Sequence, residues 1–91
     1  MKPKLIIFTT ARCSACKPFI AQVLAAIKEA DIEDDIEIDI AVPTPDKTFG
    51  VLVESVPTTI IYKDDVVAYF RGVTSPQKIV DELMSILYAE S

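Results

Sequence analysis

Two cysteines stand two residues apart in Cys13-Ser14-Ala15-Cys16, and they are the only cysteines among the 91 residues. A thiol pair at this spacing has more than one use. It can cycle between dithiol and disulfide, supply half of a four-ligand zinc site, or be two small residues packed without chemistry. Zinc takes four ligands, and the chain has no other Cys and no His. A metal site would need a second chain or acidic ligands, so no metal or cofactor is expected. Dithiol exchange needs only the pair. One thiolate attacks a disulfide to form a mixed disulfide, and a neighbouring thiol attacks that bond and releases the reduced partner. Arg12 and Lys17 flank the pair with positive charge in a chain whose net charge is −5. Such neighbours favour thiolate over thiol, and Lys17 is assigned this charge-tuning part.

The elements around the pair follow from apolar periodicity. Leu5 to Phe8 is a continuous apolar run rich in β-branched residues, which predicts a strand buried on both faces. From Ser14 to about Ala30 the residues Phe19, Ile20, Val23, Leu24 and Ile27 fall on one helical stripe. Pro18 lies early in that helix, where few intrahelical donors are lost. Cys13 is thus expected where the strand ends and the helix begins, with Cys16 one turn on. Unpaired N–H groups and a partial positive charge at a helix start stabilise a thiolate. Cys13, at the exposed start, is expected to be the attacking nucleophile and Cys16 the resolving thiol.

Further along, Ile36-Glu37-Ile38-Asp39-Ile40 alternates, predicting an edge-side strand with isoleucines on the core and acids in water. Thr44-Pro45 has the cap-then-proline form of a helix start, and that helix is expected to run through Phe49 towards Glu54. Thr58–Tyr62 and Val66–Phe70 read as strands joined by Lys63-Asp64-Asp65, which forces a hairpin. Gly72 ends the pattern. Ser75-Pro76 then opens a last amphipathic helix carrying Ile79, Val80, Leu83, Ile86 and Leu87. The expected fold class is α/β, in the order βαβαββα: a mixed four-stranded sheet flanked by three helices. Phe8, Phe19, Phe49, Tyr62 and Phe70 are expected in the core or on strand faces, with Tyr69 and Tyr88 outward.

Residues 1–91 are expected to form a single domain, with an ordinary globular balance of 51% hydrophobic and 25% charged residues. Six prolines against two glycines argue against a flexible linker. The negative charge repels phosphate, so neither nucleic acid nor an anionic membrane is an expected partner. The first apolar run, Leu5 to Phe8, falls short of the roughly 7–15 residues of a secretory signal and the about 20 of a membrane span. With a close cysteine pair, the chain reads as cytoplasmic.

Three separated segments resemble the thioredoxin superfamily. Ile6 to Lys17 is similar to its strand–CxxC–Lys segment, Val53-Glu54-Ser55-Val56-Pro57-Thr58 to the segment ending in a cis-proline, and Val66 to Gly72 to the last strand and the glycine after it. The resemblance implies a thioredoxin-like fold, with Pro57 cis and packed beside Cys13 and Cys16. It implies a substrate site formed by Arg12, Val56, Pro57, Thr58 and Gly72, in which the Val56 backbone pairs with an extended substrate peptide. Several features depart from full-length thioredoxins. Arg12 replaces the usual Trp, Ile7 replaces the usual buried Asp, and the initial strand–helix unit is missing. These departures point to relatives of glutaredoxin size. Yet Arg71-Gly72-Val73-Thr74 lacks the Gly-Gly-x-Asp stretch with which glutaredoxins bind glutathione. The resemblance therefore implies a small monomeric thiol–disulfide oxidoreductase that reduces protein disulfides and draws electrons from a flavoprotein thioredoxin reductase rather than glutathione. The alternative is a glutathione-dependent glutaredoxin, or a relative in which Cys13 of two chains holds an iron–sulfur cluster. Cys16 and the incomplete glutathione motif weigh against it.

Overall fold

The computed structural model describes residues 2–44, 53 and 55–89. Six elements follow one another: β1 (Lys4–Phe8), α1 (Cys16–Glu29), β2 (Glu37–Ala41), β3 (Thr58–Lys63), β4 (Asp65–Arg71) and α2 (Pro76–Ala89). The strands form one four-stranded sheet in the order β2-β1-β3-β4. β1 pairs parallel with β2 and antiparallel with β3, and β3 pairs antiparallel with β4. The mixed sheet is as expected from the sequence.

The continuous apolar run of β1 makes it the spine of the protein, because it has core on both faces. Leu5 and Ile7, with Ile61 of β3, face Phe19, Val23 and Ile27 of α1 and Ile79, Val80 and Leu83 of α2. Ile6, Phe8, Ile60 and Ala41 form a smaller cluster on the opposite face, with Val53, Val56 and Val66 packed against it. Each such side chain contributes about 1.5–3 kcal/mol by leaving water, so the face covered by both helices carries most of the stability.

Local chemistry sets the turns. Asp64, at φ 62°, reverses the chain between β3 and β4, in keeping with the tolerance of Asp for the left-handed region. Asp31, at φ 58°, ends α1. There the Asp31 N–H donates to the Lys28 carbonyl at 3.1 Å and the Ile32 N–H to the Ile27 carbonyl at 3.4 Å. This is a Schellman stop, and Ile27 and Ile32 supply its apolar contact in the same core cluster.

The structure corrects several expectations. Helix α1 begins at Cys16 rather than Ser14. In β2 the acids were expected in water and the isoleucines in the core. Instead Ile38 and Ile40 are 37% and 44% exposed, while Asp39 is half-buried. Register explains this. Ile38 and Ile40 pair with Leu5 and Ile7, on the helix-covered face, but β2 is the outermost strand and the helix-bound cluster does not extend over them. Alternation fixes which face a side chain takes, whereas burial depends on what lies above that face. Ile36, just before the strand, does reach the core. Of the three helices expected, two lie among the described residues. The helix expected from Thr44 to Glu54 falls largely outside them, and its two described residues, Thr44 and Val53, are not helical. Phe49 also lies outside the described residues. Phe8 and Phe19 are buried, Tyr62 and Phe70 are half-buried, and Tyr69 and Tyr88 are exposed.

Candidate active site

Strand direction gathers the sequence-predicted residues at one end of the sheet. β1 and β2 both finish there, β3 starts there at Thr58, and β4, antiparallel to β3, returns there at Arg71. The ladder continues past β1, where the Thr9 N–H donates to the Ala41 carbonyl at 2.9 Å. The loop that follows carries Cys13, which is joined to Cys16 by a disulfide with a Cα–Cα separation of 5.4 Å. That separation lies within the usual range of about 4.4–6.8 Å.

The two sulfurs stand in different surroundings. Cys16 is 1% exposed, whereas Cys13 is half-buried. The cause is helical phase: Cys16, Phe19, Val23 and Ile27 are the buried residues of α1, one inward stripe of which Cys16 is the first. Cys13 precedes the helix. Its N–H donates to the Thr10 carbonyl at 3.2 Å, and its carbonyl accepts from the Cys16 N–H at 3.3 Å. These two bonds close the loop around the pair. No side chain caps α1 at Ala15, and no acid lies in its first turn. No carboxylate of that turn therefore offsets the partial positive charge of the helix start. Arg12 and Lys17 are both exposed.

The second loop of the site holds the Val56–Pro57 bond in the cis form. Pro57 is buried and Val56 half-buried. Two hydrogen bonds brace this loop: the Thr58 hydroxyl donates to the Ser55 carbonyl at 2.6 Å, and the Gly72 N–H donates to the Pro57 carbonyl at 2.8 Å. Gly72 adopts φ +76°, a conformation in which other L residues are strained. Thr58 is fully buried, so it and Gly72 support the loop rather than present side chains to a substrate. Among the described residues, none pairs with the Val56 backbone. A cavity of about 200 Å³ lies between the two loops, lined by Thr10, Pro43, Val53, Ser55 and Val56.

The same architecture occurs in solved structures. A thioredoxin of Fasciola hepatica superposes with a TM-score of 0.73 at 21% identity, over 92% of this chain and 80% of that one. Chloroplastic thioredoxin z gives 0.73 at 14% identity, over 96% and 80%. The chain has the thioredoxin fold. The germline-specific thioredoxin Deadhead of Drosophila melanogaster gives 0.68 at 18% identity, over 92% and 80%. No protein-family model matches the sequence and no curated relative is found, so the thioredoxin likeness is one of three-dimensional structure.

Sequence reasoning missed two contributors to this thioredoxin-fold site. Arg71 pairs with Thr58, which places it beside the cis-proline loop; only the β3–β4 register reveals this. The cavity residues come from two connections, Thr10 from that between β1 and α1 and Pro43 and Ser55 from that between β2 and β3, and no spacing in the sequence links them. The burial of Cys16, by contrast, was legible by extending the stripe of α1 one step backwards from Phe19. Among the described residues no group of three or more His, Cys, Asp or Glu could hold a metal, and no helix is long and apolar enough to cross a membrane.

Proposed function

We propose that the chain is a thiol–disulfide oxidoreductase that reduces protein disulfides, with Cys13 attacking and Cys16 resolving. The observation that carries this reading is the unequal burial of a bonded pair: Cys13 is reachable from solvent and Cys16 is not. A substrate sulfur can approach only the first.

In the reduced protein the Cys13 thiolate attacks one sulfur of a substrate disulfide. The substrate S–S bond breaks, its other sulfur leaves as a thiolate and takes up a proton, and Cys13 holds the mixed disulfide. Cys16 then loses its proton and attacks Cys13 Sγ. That step restores the Cys13–Cys16 disulfide and releases the second substrate thiol, so two electrons have passed to the substrate. Val56 supports the approach: its backbone offers a place for an extended substrate segment to add as a strand, which supplies affinity with little demand on sequence. The cavity beside Val56 accepts a side chain of that segment.

Returning the disulfide to the dithiol requires two electrons from outside. The proposed donor is a flavoprotein thioredoxin reductase, because Gly72-Val73-Thr74 offers one glycine and no acid where a glutathione site would need more. The proposed setting is the cytoplasm and the proposed form a monomer. The test is reduction of a disulfide-bonded protein substrate in two coupled systems, one with thioredoxin reductase and NADPH, the other with glutathione, glutathione reductase and NADPH. Turnover in the first and little in the second is expected. Rapid, saturable turnover with glutathione alone would overturn the donor assignment, and turnover in neither would overturn the reductase reading.

A further inference from the structure

The sheet has two outer strands, and among the described residues no strand pairs with the outer side of β2. The Glu37 N–H donates to the Pro3 carbonyl, and the Ala41 carbonyl accepts from the Thr9 N–H. Residues 37, 39 and 41 therefore direct their backbone groups towards β1. Strand alternation turns the N–H and C=O of Ile38 and Ile40 the other way, out of the sheet. The side chains of these same residues lie on the helix-covered face, and Val42 continues the alternation. The three are 37%, 44% and 58% exposed. Glu37 and Asp39 take the opposite face.

Charge decides what such an edge admits. Lys4 is registered beside Glu37, but Asp39 is registered beside Ile6 and has no cation at its own level. Glu33, Asp34 and Asp35 precede the strand, against Lys2 ahead of β1. Asp46, Lys47 and Glu54 follow it outside the described residues, and their sum does not reverse the sign. The other outer strand, β4, has one charge of each sign, Asp65 and Arg71. A second copy of the chain is a poor occupant for β2. Antiparallel pairing of two such strands brings the acids of both onto one face, and setting Ile38 against Ile40 sets Asp39 against Asp39. A strand with basic residues in those positions meets no such barrier.

We propose that the outer edge of β2 is a docking site for a partner protein, through an extended segment that alternates apolar and basic residues. The segment adds as an antiparallel strand. Its apolar residues stand opposite Ile38 and Ile40 and exchange backbone bonds with them, while a Lys or Arg between them faces Asp39 and the next faces Glu37. Backbone bonds supply affinity, the apolar pairs fix the face, and the acids select the sign of the partner. Docking needs neither cysteine, so it stands or falls apart from the reductase reading.

The probe is a short synthetic peptide of alternating valine and lysine, added to the oxidised, isotope-labelled protein and followed by amide chemical shifts. Saturable shifts along residues 37–42 are expected, with slowed amide exchange at Ile38 and Ile40 and no shifts along β4. A peptide of alternating valine and glutamate should bind at least about fivefold more weakly at about 0.1 M salt. That gap should narrow at about 1 M salt, where the screening length is about 3 Å. The double variant Glu37→Gln and Asp39→Asn should lose about fivefold in affinity for the lysine peptide. Ile38→Thr with Ile40→Thr, which keeps the β-branched form that strands favour, should weaken both peptides alike. No saturable shifts, shifts centred on β4 or the disulfide loop, or equal affinity for the two peptides would overturn the proposal. So would sedimentation of the protein alone as a dimer whose Ile38 and Ile40 amides are already protected.

Discussion

Where β3 returns into β4, Asp64 alone separates the strands, and acidic residues gather around that end; where β1 gives way to α1, residues 9–15 intervene and carry the half-buried cysteine of a disulfide. Both ends close the same sheet, but they do so with opposite priorities. At the remote end, a left-handed Asp64 and the Schellman stop at Asp31 fix the chain in short reversals. At the site end, longer connections meet beside a cavity, braced by backbone bonds from Cys13 to Thr10, from Cys16 to Cys13 and from Gly72 to Pro57. The difference teaches that stability and chemistry are separable along the strand axis. Substitutions at one end should change folding and spare exchange, and at the other the reverse.

The largest expected effect lies at the site end. Cys13→Ser should lower disulfide-reducing turnover by about a thousandfold or more, with chemical unfolding of the reduced protein shifted by no more than about 0.5 kcal/mol. Retained turnover would break the comparison at once. Next comes Ile27→Ala, near the remote end of α1, where the side chain is 1% exposed. It should cost about 2–5 kcal/mol in urea unfolding, while the rate per folded molecule stays unchanged. Asp64→Val puts a β-branched residue in the left-handed region and should cost about 1–2 kcal/mol without altering exchange. A matching loss of exchange rate in either remote variant would show that the two ends are coupled.

Arg12→Ala should have the smallest effect. An exposed neighbouring charge is worth less than about 1 kcal/mol after screening, so attack by Cys13 should slow by no more than about fivefold. The loss should diminish as salt rises. A loss independent of salt would mean that Arg12 acts by contact rather than by charge.

Most of the scaffold was legible in the sequence because it rests on local patterns. The unbroken apolar run Leu5–Phe8 predicts a strand with core on both faces, and Lys63-Asp64-Asp65 between two strand-like segments predicts a tight hairpin. The cysteines were legible for the same reason, since strand, CxxC and helix are contiguous. What was not legible depends on register or coverage. Ile38 and Ile40 take the expected face but lie at an outer strand, which no alternation can disclose. Arg71 reaches the cis-proline loop through a ladder that shifts register between Ile61 and Tyr62, and that irregularity has no sequence signature. Thr59, fully buried with a hydroxyl that finds no partner among the described residues, is equally silent in the sequence, although an unpaired group of this kind costs about 1–3 kcal/mol.

The division of labour between the cysteines is tested most directly by trapping. Reduced Cys16→Ser protein, mixed with a disulfide-bonded protein substrate and quenched with acid, should accumulate a mixed disulfide that peptide mapping places on Cys13, because no second thiol remains to resolve it. Reduced Cys13→Ser protein should accumulate almost none, since its remaining thiol at Cys16 is 1% exposed. A stronger trap in Cys13→Ser than in Cys16→Ser would contradict the account.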